Sequence, residues 1–329
     1  MIITRTPFRI SFFGGGTDFP AFYDKHGGTV LSTTIDKYCY ITARYLPPFF
    51  DHKYRIRYTK REETNSIDEI SHPSVRACLN YAEITDGIEI VHTSDIPAMS
   101  GIGSSSSFTV GLLHSLYALK GLDVTKSELC QDALEIEQKI LKENVGSQDQ
   151  TAAAYGGLNK IKFSSNRHPI VSPIAIKRER RKELERHLML FFTGFSRISS
   201  VVAAEQIKNT PSKIIELNAM KEMVTHAINI LDDSSIPINE FGCLLHEAWM
   251  LKKSLTHKIS NSEIDQMYEA AIAAGATGGK LCGAGAGGFM LLFVEPNKQS
   301  KVKSSLSKFL HVPFSFEQRG THIVFSDNQ

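Results

Sequence analysis

The chain is poor in several things, and each shortage excludes a class of protein. Its five cysteines (Cys39, Cys78, Cys130, Cys243 and Cys282) are odd in number and widely spaced, with no Cys-x-x-Cys pair and no histidine at zinc spacing. A disulfide scaffold and a structural zinc site are thereby disfavoured, and a reduced, cytoplasmic setting is expected. Neither sign of charge dominates: 37 lysines and arginines against 35 aspartates and glutamates leave +2, too little to attract nucleic acid or an anionic membrane. The one basic run, Lys177–Lys182, contains a glutamate and no interleaved aromatic, the pattern of a solvated helix start. No apolar stretch approaches the roughly 20 residues that span a bilayer. The opening Met1–Arg5 lacks the charged and apolar regions of a secretory leader. Internal repeats and low-complexity blocks are absent too.

What remains is globular material, 42% hydrophobic and 22% charged over 329 residues. At roughly 150 residues per domain, two domains are expected. From Thr6 to Phe13 the apolar Phe8, Ile10 and Phe12 alternate with Arg9 and Ser11, a strand that sets Arg9 opposite the apolar face. Further strands are predicted over Thr29–Tyr45, Gly87–Thr93, Leu158–Phe163, Leu188–Phe192 and Phe289–Val294. Phe108, Leu112, Leu116 and Leu119 recur at helical spacing after Gly103. Thr125-x-x-Glu128 opens a second helix with Leu129, Ala133, Ile136 and Ile140 on one face. Several helices are predicted between Ser200 and Ala274, where Trp249 and His246 read as core and cap rather than ligands. Strands and helices without a βαβ repeat indicate an α+β fold. The two prolines and charge run between Ser164 and Lys182 put the domain division at about residue 180, giving 1–180 and 181–329.

Three glycine-rich segments carry candidate chemistry. In Pro97-Ala98-Met99-Ser100-Gly101-Ile102-Gly103-Ser104-Ser105-Ser106-Ser107, small residues feed an apolar helix, so backbone N–H groups and the helix N-terminus suit a phosphate. It is not a Walker A loop, because no Gly-Lys-Ser/Thr follows; a serine-rich helix cap is the plainer alternative. Gly283-Ala284-Gly285-Ala286-Gly287-Gly288 satisfies G-x-G-x-x-G, but it precedes a strand rather than opening a helix, so the dinucleotide reading fails on context. A tight turn and a loop lying against phosphates both remain. Arg9 with Gly14-Gly15-Gly16-Thr17-Asp18 offers a glycine floor and one carboxylate, suited to sugar hydroxyls or to a capped turn.

These segments, in this order, resemble the GHMP kinase superfamily, which includes the galactokinases, homoserine kinases and mevalonate kinases. The match is nearest to its bacterial D-glycero-D-manno-heptose 7-phosphate kinase branch, through Arg5–Asp18, Gly146–Gln150 and Thr193–Arg197. The resemblance implies a two-lobed α+β fold, with an N-terminal ATP-binding lobe like ribosomal protein S5 domain 2 and a ferredoxin-like C-terminal lobe. It implies ATP and Mg²⁺ as cofactors, a sugar phosphate as the other partner, and leaves a homodimer open. By position it implies Asp149 as the catalytic aspartate with Arg9 as its partner, and Ser105 and Glu137 as magnesium ligands. ATP phosphates would lie on Pro97, Gly101, Gly103 and Ser104–Ser107, and the substrate on Gly15, Gly16, Thr17, Asp18, Arg197, Gly283 and Gly285. Galactokinases read Gly-Glu-His-Thr-Asp where this chain reads Gly14–Asp18. Losing a glutamate and a histidine removes an anion and opens room for a longer sugar ending in phosphate. The implied product is the 1,7-bisphosphate, feeding GDP-heptose synthesis for surface polysaccharide. A fucose- or galactose-type sister kinase and a non-catalytic sugar and ATP sensor are the alternatives.

Overall fold

The computed structural model describes residues 1–98, 100–165, 168–194 and 199–327. The first part of the chain supplies strands β1 (Ile2–Phe13), β2 (Gly28–Tyr45), β3 (Tyr54–Arg57), β4 (Arg61–Thr64), β5 (Ile88–Ser94), β6 (Asn159–Phe163) and β7 (Ile170–Pro173). The rest supplies β8 (Leu188–Phe192), β9 (Ala276–Leu281), β10 (Phe289–Val294), β11 (Leu310–His311), β12 (Phe316–Glu317) and β13 (His322–Ser326). The helices before residue 160 are α1 (Pro20–His26), α2 (Pro73–Tyr81), α3 (Ser104–Leu119), α4 (Lys126–Leu134) and α5 (Gln148–Tyr155). After it come α6 (Arg178–His187), α7 (Ser199–Asn209), α8 (Ile214–Asp232), α9 (Asn239–Leu255), α10 (Ser262–Ala274) and α11 (Gln299–Ser305).

Two sheets organise these elements. The larger runs β13-β1-β2-β5-β3-β4, with β6 and β12 also on β2 and β7 on β6; the smaller runs β11-β8-β10-β9. The long β1–β2 pair extends from Ile2 opposite Ala43 to Phe13 opposite Leu31, and its register slips at Pro7/Phe8 and Ser11/Phe13. The first strand of the second sheet is β8, from Leu188. The chain then returns, because β12 and β13 pair with β2 and β1. The two sheets share a core: Phe12 and Phe13 of β1 meet the ring of Phe241 on α9 edge-on, with centroids 5.4 and 5.1 Å apart. One apolar cluster accordingly contains Phe8 and Leu112 together with Leu190, Phe241 and Phe293.

Two departures from the sequence pattern bear on the site. The helical face Leu129, Ala133, Ile136 does not continue to Ile140, which is half exposed, because Glu135–Ile140 form a π-helical turn. The wider turn displaces the stripe and carries Glu137, a residue the pattern places beside it, into full burial. In α6 the basic run is solvated except at Arg180, which is buried and donates to the Ile230 and Ile236 carbonyls at 2.7 and 2.6 Å. Trp249 is wholly buried, and His246 Nδ1 lies 2.7 Å from the Tyr268 hydroxyl, as core and cap.

Candidate active site

A cavity opens where β1, the N-terminus of α3, the N-terminus of α5, α9 and β9 converge. Arg9 is its organising residue. It projects from the face of β1 away from the Phe8–Phe12 set and is 4% exposed. Its Nε and Nη2 donate to Asp149 Oδ1 and Oδ2, each at 2.8 Å, a two-pronged pair that fixes the plane of the carboxylate. Its Nη1 donates to the Gly101 carbonyl at 2.8 Å, and its backbone N–H to the Ile102 carbonyl at 3.0 Å. One side chain therefore ties the carboxylate at the start of α5 to the loop that opens α3. Gly103 sits at the crossing with φ +78°, where a Cβ would come within 3.2 Å of Arg9 Cγ. As the N-cap of α3 it has no side chain to satisfy the first-turn N–H groups, which suits an anionic ligand.

Asp18 is the second carboxylate of the cavity. Its Oδ1 accepts from the Gly16 N–H at 2.8 Å, and a Cβ at Gly146 would collide with its Oδ2. Burial raises its pKa above the usual carboxylate range, opposed by the Gly16 N–H, while the Asp149 charge pushes the same way as burial. Two carboxylates in one pocket make the first proton cheaper to hold, and the Arg9 charge works against that.

The serines divide. Ser104, Ser105 and Ser106 line the cavity, and the Ser106 hydroxyl donates to Glu137 Oε2 at 2.8 Å, whereas Ser107 turns inward and donates to the Pro7 carbonyl at 3.0 Å. Glu137 is 0% exposed and sits behind the cavity lining. The Gln150 amide also donates to its Oε2, and its Oε1 accepts no hydrogen bond. Burial pushes its pKa up to about 7, against the lowering effect of Thr109, Gln150 and Ser106. Gly15, Gly16, Gly101 and Gly283 line the cavity. Pro97 and Gly285 are not among its lining residues; Gly285 packs against the Ile259 backbone. The Thr17 hydroxyl is engaged within the turn, donating to the Gly14 and Thr29 carbonyls at 2.8 and 3.0 Å. Arg197 lies outside the described residues.

Among the lining residues that escape the sequence reading, two carry charge. Lys252 of α9 and Lys280 of β9 are both buried against the cavity. Lys280 Nζ donates to the Ser11 and Phe12 carbonyls at 2.8 and 3.2 Å, fastening the second sheet to the first. Lys252 Nζ donates to the Gly283 carbonyl. Burial lowers the two pKa values to about 8 for Lys252 and about 7 for Lys280. A sign was available in the helix period: Lys252 falls on the stripe Phe241, Leu245, Ala248, Trp249, Leu255, where a charge is out of place.

The second glycine loop meets the first. A Cβ on Gly283 would lie 2.6 Å from the Gly101 backbone, and one on Gly288 2.2 Å from the Ser100 carbonyl. Between β9 and β10 it is therefore a strand connection, not a dinucleotide loop, and its glycines let two backbones touch. No helix among the described residues is long and apolar enough to cross a membrane.

Comparison with known proteins agrees with this geometry. Residues 72–157 match the family described as GHMP kinases N terminal domain, and residues 235–312 match GHMP kinases C terminal. The chain is 32% identical over 319 residues to D-glycero-alpha-D-manno-heptose 7-phosphate kinase of Campylobacter jejuni subsp. jejuni, with 93% of each chain covered. Its structure is similar to that of a D-glycero-D-manno-heptose 1-phosphate kinase from Bacteroides thetaiotaomicron, with TM-score 0.81 and 26% identity over 99% of this chain and 100% of the other. Lactococcus lactis galactokinase, solved with galactose, shares the fold at TM-score 0.76 and 17% identity, covering 98% of this chain and 94% of that one.

Proposed function

This chain belongs to the GHMP kinases, ATP-dependent enzymes that transfer phosphate to a hydroxyl, and from that premise we propose that its acceptor is D-glycero-D-manno-heptose 7-phosphate, phosphorylated at the anomeric hydroxyl to the 1,7-bisphosphate. The kinase level rests on the family match, and the sugar and the heptose rest on the Campylobacter relative. The two heptose kinases are named for the same sugar and for different positions of its phosphate. The glycine floor at Gly14–Gly16 supports a sugar longer than galactose. The product would supply a nucleotide-activated heptose for surface polysaccharide.

The observation that carries the reading is the Arg9–Asp149 pair lying in one cavity with Asp18 and the N-terminus of α3. Phosphoryl transfer asks mainly for in-line positioning and charge stabilisation. In this mechanism the Gly101–Ser105 loop and the first turn of α3 receive the nucleotide's phosphates. Asp18 accepts hydrogen bonds from the sugar. Asp149 orients the attacking hydroxyl and takes its proton. The Arg9 fork engages both carboxylate oxygens, yet each keeps a second lone pair for that hydroxyl. Such a clamp fixes the carboxylate's position. Ser105 and Glu137 would hold Mg²⁺ carried with the nucleotide, and the buried, unbonded Glu137 Oε1 fits a hard cation that keeps few protein ligands. The metal supplies charge neutralisation of the phosphates.

The test is ADP release measured against heptose 7-phosphate, heptose, galactose, fucose and mevalonate. A clear preference in kcat/KM for heptose 7-phosphate is expected. Turnover of an unphosphorylated sugar in preference to it would refute the heptose assignment, and no ADP release with any acceptor would favour a sensor.

A further inference from the structure

Among the described residues, three cationic side chains reach the cavity, and they are differently committed. Arg9 is matched by the Asp149 carboxylate. Lys280 uses two of its three donors on the carbonyls of Ser11 and Phe12, across the junction of the sheets. Lys252 uses one, on the Gly283 carbonyl, and forms no ion pair among the described residues. Two of its N–H donors are left without an acceptor there, on a residue 4% exposed.

The position of that ammonium is informative. Gly283 is where the second glycine loop touches Gly101 of the first, so Lys252 stands at the seam of the two loops, in the same cavity as Asp18 and Asp149. With all five groups ionised, Arg9, Lys252 and Lys280 outweigh Asp18 and Asp149 by one charge. A buried ammonium without a counterion is costly and calls for an anion. One backbone carbonyl does not balance it; a phosphate, with three oxygens and up to two charges, does.

We propose that Lys252 binds phosphoryl oxygens inside the cavity, donating its two uncommitted N–H groups to a phosphate that arrives with a substrate. That phosphate is either the terminal one of the nucleotide or the one the acceptor sugar already carries. The nucleotide source rests only on the family activity, and the sugar source rests on the heptose reading.

The test compares wild type with Lys252→Gln, which keeps an N–H for the Gly283 carbonyl but has no charge, and with Lys252→Met and Lys252→Arg. Circular dichroism and melting establish that each variant is folded. Calorimetry then gives two affinity ratios, a non-hydrolysable ATP analogue over ADP, and heptose 7-phosphate over heptose. One ratio is expected to fall about 10- to 100-fold in the Gln and Met variants, the range for a charge-assisted hydrogen bond, and to recover partly in the Arg variant. A fall in the first ratio assigns Lys252 to the nucleotide's terminal phosphate; a fall in the second assigns it to the sugar's. A folded Gln variant with both ratios intact overturns the proposal and leaves Lys252 as a brace for Gly283. If wild type itself does not distinguish heptose 7-phosphate from heptose, the substrate reading fails separately. The nucleotide ratio then decides alone, and an unchanged value overturns the proposal.

Discussion

The cavity has two unlike walls. One, from β1, the Gly101–Ser107 loop and α5, holds an arginine, two carboxylates and an open helix N-terminus. The other, from α9, β9 and the Gly283–Gly288 loop, contributes two buried lysines and a glycine turn, with no carboxylate among its lining residues. The carboxylates thus belong to the first wall and unneutralised positive charge to the second. Both use glycine, for different reasons. Gly103 caps a helix without blocking its N–H groups, whereas Gly283 lets one backbone lie on another. The same composition leaves a helix N-terminus without a side-chain cap in one place and makes a packing contact in the other, because a helix follows the first loop and a strand follows the second.

The sharpest way to break the asymmetry is Asp149→Asn. It should lower kcat by about 10²–10⁴-fold, the usual contribution of a positioned base, with little change in ATP affinity measured by calorimetry. Near wild-type turnover would move the base elsewhere. Next is Glu137→Gln, which probes the charge hidden behind the first wall. Folding raises the Glu137 pKa from 4.5 to about 7, so its ionisation is disfavoured in the folded state. Stability from this group is full below pH 4.5 and is lost as pH rises through 7. The Gln variant should therefore be more stable than wild type by on the order of 3 kcal/mol at pH 8 and no more stable at pH 4. Urea unfolding at the two pH values checks it, and equal stability gains at both would show that charge is not the cause.

Gly283→Ala tests the second wall. Its left-handed φ of +72° costs an L-residue about 1–2 kcal/mol, and the Cβ pushes on Gly101 as well. A lower melting temperature and weaker ATP binding are expected. Gly121→Ala, at φ +70° with nothing within 4 Å, is the control, and should lose stability but not ATP affinity. The smallest effect separates the paired serines. Ser105→Ala should raise the Mg²⁺ needed for half-maximal rate a few-fold (about 1 kcal/mol or less) without changing stability. Ser106→Ala should loosen Glu137 and lower stability by about 1 kcal/mol. An unchanged metal titration in the first variant would remove Ser105 from the metal's surroundings.

Legibility differed between the walls for physical reasons. Alternation marked β1, β-branched and aromatic residues marked β2, a continuous apolar run marked β10, and helical spacing marked α3. β9 gave no such signal: Gly278 and Gly279 stand where larger residues would announce a strand, and a Cβ on Gly278 would meet the Gly242 carbonyl of α9 at 2.0 Å. The close crossing of helix on strand demands glycine and erases the pattern. β12 and β13 are short and partly exposed, and they take their place only by pairing with strands about 300 residues earlier. On the first wall, motif and spacing pointed to Arg9, Asp18 and Asp149. They did not separate Ser105 from Ser106, because that depends on which hydroxyl the π-turn carboxylate faces.

Local order in the chain was enough to determine the α+β class, the strand bearing Arg9, the helix opened by Gly103 and the family to which these motifs point. Periodicity and glycine placement are properties of neighbouring residues, so they can be read without the fold. Only the tertiary structure decided that Arg9 grips Asp149 from 140 positions away, that Glu137 is buried, and that lysines from α9 and β9 share a cavity with β1. The first two depend on how α3, α5 and the π-helical turn pack together on the larger sheet and the third on how the two sheets dock; both bring together charges whose separation along the chain carries no mark of their meeting.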